Sequence, residues 1–164
     1  MVKEISMNQD RLVQRGFIAL VAIGGLLGFA ALAADVAATV KERQAVMKEM
    51  GGKTGVINAY IKESKGTAAD VEAAAKTISA DAGKIPTFFP EGSGLDKIKD
   101  PVTGAKPEIW TDRAKFEAAA KTLADEAAKL ADVAKSGNKD EIAAQFGKVG
   151  AACGTCHTSF RQKI

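Results

Sequence analysis

Cys153-Gly154-Thr155-Cys156-His157 brings together, in one short segment, both cysteines and the single histidine of the chain. Two thiols and an imidazole can exchange redox equivalents, coordinate a metal, or capture a prosthetic group covalently. A redox dithiol shares the C-x-x-C spacing, but it normally opens a helix in an α/β fold, whereas this pair lies near the end of an all-helical pattern. A structural zinc site needs four ligands, and the chain has no second Cys or His pair to supply them. A disulfide across two intervening helical residues would be strained and would leave His157 without a role. There remains the C-x-x-C-H signature of covalent haem c attachment. On a helix, Cys153 and Cys156 share a face, where two sulfurs can meet two vinyl groups of one porphyrin. His157, four residues beyond Cys153, sets its imidazole over the same face within reach of the iron.

With one histidine, bis-histidine ligation is impossible, and the sixth position falls to methionine, a weaker donor, water or nothing. Met47 and Met50 are the methionines outside the N-terminal segment. If the first helix runs antiparallel to the last, Met47 lies roughly 15 Å from the start of the one and His157 roughly 10 Å from the end of the other, so their levels match. Met47 is therefore the candidate distal ligand, and core filling by both methionines stays open as the alternative. Arg43, one turn before Met47, and Arg161, one turn after His157, project toward the expected haem edge, where a guanidinium fork can pair with a propionate. Trp110 and Phe116 read as packing residues.

The elements that must position these groups are helical. Val36, Val40, Met47 and Met50 fall near helical spacing, and Gly51-Gly52 reads as an interruption, with a continuation through Val56, Ile57, Tyr60 and Ile61. A second helix opens at Thr67 with Asp70 three residues on, repeats Val71, Ala74, Ala75 and Ile78, and ends near Gly83. Residues 84–107 hold all four prolines and read as a long connection, a length uncommon without a function. A third helix is expected from an N-cap at Thr111, with Phe116, Ala120, Leu123, Ala127, Leu130 and Val133 on one face and Gly137 beyond its end. The fourth starts near Asn138, with Glu141 three residues later, and carries Ile142, Phe146, Val149, Cys153, Cys156 and Phe160 on one stripe. No segment sustains two-residue alternation. The fold class is all-α, an antiparallel up-down-up-down four-helix bundle. Its alanine-rich helices leave little bulk for a core, and a haem would supply the missing apolar volume.

The N-terminus reads separately. Lys3, Arg11 and Arg15 precede an apolar run over residues 17–32 that ends on Ala31-Leu32-Ala33, a small-x-small pattern expected of a signal peptide spanning residues 1–33, with residues 34–164 as the haem-binding domain. A retained membrane anchor is the competing reading, since the run approaches the roughly 17 residues that can span a bilayer. Cleavage is favoured because the run is glycine-rich and finishes on small residues; no membrane association is then expected. The net charge of +3 falls by one when the segment is removed. So balanced a chain, without a basic stripe, gives no case for nucleic acid. No paired carboxylates or second histidine suggest acid–base catalysis, so the expectation is a protein that is not an enzyme.

These residues together resemble the cytochrome c prime family, the class II c-type cytochromes. The resemblance covers nearly all of the chain beyond residue 33. It rests on Arg43-Gln44-x-x-Met47, Phe89-Pro90-Glu91-Gly92-Ser93, Lys106-Pro107-Glu108-Ile109-Trp110, and C-x-x-C-H followed by Phe160-Arg161. It implies one haem c, a four-helix bundle, a periplasmic location with periplasmic redox partner proteins, and often a homodimer. In low-spin relatives a methionine at the position of Met47 ligates iron and the protein carries electrons. In high-spin relatives that position usually holds a non-ligating residue, and the open iron binds nitric oxide or carbon monoxide. The stretches around Met47 and Phe89 look closer to the low-spin branch.

Overall fold

The structure, a computed structural model, describes the backbone of residues 6–164 and the side chains of residues 35–164; the side chains of the expected signal peptide and its cleavage point lie outside the described residues. The chain divides into two units, Met1–Val36 and Ala37–Ile164, and the second carries the site. The helices are α1 (Ser6–Glu63), α2 (Ala68–Lys84), the one-turn α3 (Glu108–Thr111), α4 (Arg113–Ala134) and α5 (Lys139–Phe160), with a 3₁₀ turn at Ile85–Phe88 after α2. Among the described residues, extended pairing is confined to one isolated bridge, Ala105 with Arg161. The four long helices form the bundle: α4 packs on both α2 and α5, while Met50 and Ile57 of α1 join the same core.

The local chemistry explains each boundary. At the start of α2, Thr67 and Asp70 form a reciprocal capping box, satisfying two N–H groups that a helix start leaves unpaired. The Asn138 side chain accepts from the Asp140 and Glu141 N–H groups and so fixes the start of α5. Between α4 and α5 the chain reverses through Gly137 at φ +68°, a conformation that costs a residue without Cβ little. Tyr60 Oη donates to the Gly137 carbonyl at 3.4 Å and Lys139 Nζ donates to Ser64 Oγ at 2.9 Å. The end of α1 therefore meets the start of α5, and the two run antiparallel as the matching of Met47 and His157 requires.

Two expectations are corrected. Gly51-Gly52 does not interrupt the first helix: α1 continues through both to Glu63. Each glycine costs about 1 kcal/mol in a helix interior, and the burial of Met50 and Ile57 on either side outweighs that cost. Thr111 does not cap the third helix either. Pro107 opens α3, Thr111 ends it, and the break falls at Asp112 (φ −128°, ψ 56°), from which α4 starts. The tertiary contacts set that break. Trp110 Nε1 donates to the Phe89 carbonyl at 3.2 Å, and the Arg113 fork donates to the carbonyls of Phe89 at 3.3 Å and Pro86 at 2.7 Å, so both sides of Asp112 are tied to the connection after α2.

Candidate haem site

Between α1 and α5, at the end of the bundle where the long connection lies, is an apolar cavity of about 740 Å³. That volume is within the roughly 300–1,000 Å³ of cofactor and ligand sites. Met47, Met50, Gly51 and Thr54 of α1 form one wall, and Phe146, Gly150, Cys153, Cys156 and His157 of α5 line the other. Ile85, Phe89, Ile109 and Phe116 close the inner end. The aromatic rings there pack edge to face, Phe89 on Phe116 at 4.9 Å and Phe116 on Phe160 at 5.2 Å between centroids.

The structure brings every candidate residue to this cavity: Arg43, Met47, Cys153, Cys156, His157 and Arg161 all line it. Met47 is half-buried against the core, as are the two cysteines, whereas His157 and Arg161 lie on the open side. Burial pushes both thiols above their usual value, so they are neutral, unlike the low-pKa thiolate of an exchanging redox dithiol. Desolvation, with the nearby Arg161 charge adding to it, lowers the His157 pKa below 6.5 and favours the neutral imidazole that a metal requires.

Arg43 makes a set of contacts that the sequence did not disclose. Its guanidinium is buried, and it donates to Ser93 Oγ at 2.9 Å, the Ser93 carbonyl at 2.7 Å and Thr103 Oγ1 at 2.6 Å, with the Phe88 carbonyl at 3.5 Å. It also stacks over the Phe89 ring, 4.5 Å from its centroid. Every one of these partners is neutral. Burial without a carboxylate lowers the Arg43 pKa from 12.5 to about 10. Ser93 and Thr103 were missed because their signal lies in a contact spanning fifty residues or more; Ser93 is visible in the sequence only as part of the Phe89-to-Ser93 stretch.

These features fit a haem. The cavity has apolar walls, two neutral thiols and an imidazole on one face, a thioether on the other, and a buried cation without a carboxylate partner at its edge. Among the described residues no group of three or more His, Cys, Asp or Glu side chains forms a rival metal site.

Comparison with known proteins agrees with that chemistry. The family model for cytochrome c′ matches residues 38–161. A cytochrome c′ of Rhodopseudomonas palustris is 38% identical over 149 residues, covering 88% of this chain and 92% of the relative. A cytochrome c-556 of Agrobacterium fabrum is 37% identical over 129 residues, covering 77% and 83%. Among solved structures, a cytochrome c′ with an unusual ligand-controlled dimer dissociation superimposes with a TM-score of 0.71 at 34% identity, over 78% of this chain and 97% of that one. With the C-x-x-C-H face, the cavity and the bundle in agreement, the chain belongs to the cytochrome c′ family and is a monohaem c-type cytochrome with a covalently attached haem c.

Proposed function

We propose that this cytochrome carries electrons in the periplasm, with thioether attachment at Cys153 and Cys156, His157 as the proximal ligand and Met47 as the distal ligand. The observation that carries the reading is the placement of Met47 and His157 on opposite walls of one cavity, on antiparallel helices at matching levels. The haem supplies a one-electron ferric–ferrous couple. The residues tune it. A thioether donor favours the ferrous form and raises the potential, and the apolar wall of Ile85, Ile109 and Phe116 keeps water from the ring. Arg43 offers its buried charge, and Arg161 its exposed one, to the propionates. A carrier needs no acid–base machinery, and a single histidine committed to iron leaves none, so we read the chain as a carrier and not an enzyme. Residues 1–33 would direct export and be removed, and no described helix is long and apolar enough to cross a membrane. The partners would be other periplasmic redox proteins, and a second copy of the chain in a homodimer.

One observation favours a second reading, a high-spin cytochrome that binds nitric oxide or carbon monoxide. Gly51, one turn after Met47 on the cavity wall, has no atom within 4 Å of the position a Cβ would take, which leaves room for a diatomic beside the distal face. The visible spectrum of oxidised and reduced holoprotein, with and without carbon monoxide, tests the two. Low-spin bands little changed by the gas support Met47 ligation. A high-spin spectrum that shifts on adding carbon monoxide sinks it in favour of gas binding.

A further inference from the structure

Late in the long connection, Thr103, Gly104 and Ala105 line the cavity, and the segment 102–106 around them is gripped from both sides. From α1, Arg43 Nη2 donates to Thr103 Oγ1 at 2.6 Å and Gln44 Nε2 donates to the Val102 carbonyl at 2.8 Å. Thr103 Oγ1 also accepts from the Ala105 N–H at 3.2 Å, so one hydroxyl ties the guanidinium to the loop's own fold. From the end of α5, Ala105 forms an antiparallel bridge with Arg161. The Gln162 N–H donates to the Gly104 carbonyl at 2.8 Å, and the Lys106 N–H donates to the Phe160 carbonyl at 3.1 Å. Lys106 Nζ donates to the Ser159 carbonyl at 3.1 Å. The grips fall in register with the candidate iron ligands. Arg43 and Gln44 lie in the turn preceding Met47, and Phe160, Arg161 and Gln162 follow His157 within about a turn.

We infer that residues 102–106 are a strap joining the two walls of the cavity, that the strap sets the spacing of α1 and α5 across the haem, and that Thr103 and Arg43 are positioning residues for the sixth coordination position. The inference rests on His157 and Met47 being the groups that face iron. The physical argument is one of tolerance. A ligating side chain has to be held within about 0.5 Å of its productive position, and helices of small residues hold their neighbours loosely. Cavity-lining Gly51 and Gly150 have nothing within 4 Å where a Cβ would be, so neither wall is braced by its own side chains at those levels. The strap provides the brace from outside. Gly104 is required for it, because a Cβ there would collide with the Gln162 carbonyl.

The test uses ferrous holoprotein and carbon monoxide as the probe, with association rates measured by stopped flow and amide hydrogen exchange followed at Lys106 and Gln162. Thr103→Val removes the hydroxyl at nearly constant volume, and Gly104→Ala pushes the tail off the strap. Each should raise the association rate about tenfold or more by increasing the open fraction of the site, and each should speed exchange at Gln162. Thr103→Ser, which keeps the hydroxyl, should behave as wild type. So should Ser79→Ala, which loses an α2 bond to the Ala124 carbonyl of α4 that touches neither wall. If Thr103→Val yields no holoprotein, Arg43→Lys, which keeps the charge and loses the fork, takes its place. With a low-spin wild type, rates for the strap variants within about twofold of wild type, or an equal rise in Ser79→Ala, overturn the inference. The wild-type spectrum separates this from the reading it rests on: a high-spin wild type removes Met47 ligation, and amide exchange at Lys106 and Gln162 then decides the strap, faster in the strap variants than in Ser79→Ala if it holds and unchanged if it does not.

Discussion

Arg43 and Ser93, fifty residues apart in the chain, share two hydrogen bonds: the guanidinium donates to the serine hydroxyl at 2.9 Å and to its carbonyl at 2.7 Å, and both residues are buried. A cation in such a place is costly unless its hydrogen bonds are all made. Here the two terminal nitrogens together reach Ser93, Thr103 and Phe88, so the connection is folded around the charge.

Arg43→Met should destabilise the holoprotein by about 1–3 kcal/mol, because it leaves the Ser93 and Thr103 oxygens buried without their donor. Urea unfolding followed by far-ultraviolet circular dichroism measures it. A midpoint equal to wild type would show that the connection keeps its fold without the guanidinium.

Met47→Leu changes the donor while nearly conserving volume, so folding should suffer by less than about 1.5 kcal/mol. The iron should become high-spin, and carbon monoxide should bind about tenfold more tightly or better, since the sixth position no longer has to be vacated first. Equilibrium titration of the ferrous protein reads this; an affinity equal to wild type would mean that Met47 was never a ligand.

Gly52→Ala should stabilise the bundle by about 0.5–1 kcal/mol, because the position is helical and a new methyl meets nothing within 4 Å. Thermal melts of the two holoproteins compare them. A lower melting temperature in the variant would contradict a continuous α1.

The capping box at the start of α2 gives a pH dependence of known sign. Asp70 accepts from the Thr67 hydroxyl and the Thr67 N–H, each at 2.8 Å, and these bonds hold its carboxyl below the ordinary 3.8. A carboxylate with a depressed folded-state pKa contributes stability that is fully present above the unfolded value and lost as pH falls through the folded one. Asp70→Asn should therefore melt lower than wild type at neutral pH, and the gap should close in acid. A gap that stays constant with pH would place the effect elsewhere.

Much of this protein is decided by local rules that a sequence states directly. The 3.6-residue period of apolar positions in α4 and α5 determines that they are helices and which face is buried, because a helical face is a matter of spacing alone. The capping residues Thr67 and Asn138 mark two starts for the same reason, since a cap bonds to N–H groups two or three residues away. The proposed attachment chemistry is equally local: Cys153, Cys156 and His157 lie within about one turn of α5. What needed the tertiary structure is everything set by contacts far along the chain. The cost of Gly51-Gly52 is local, but the burial of Met50 and Ile57 that outweighs it comes from a core shared with distant helices. The end of α3 at Thr111 is fixed by bonds from Trp110 and Arg113 to the connection, which no pattern around Thr111 encodes. Arg43 could be expected at the haem edge from its step to Met47, while its hold on Ser93 and Thr103 arises only when the connection folds back. Helical register propagates from neighbour to neighbour, so the sequence by itself determined the buried faces of α4 and α5 and the shared turn of Cys153, Cys156 and His157. The strap, the buried cation and the closure of the cavity depend on segments brought together from across the chain, and only the packed bundle decided them.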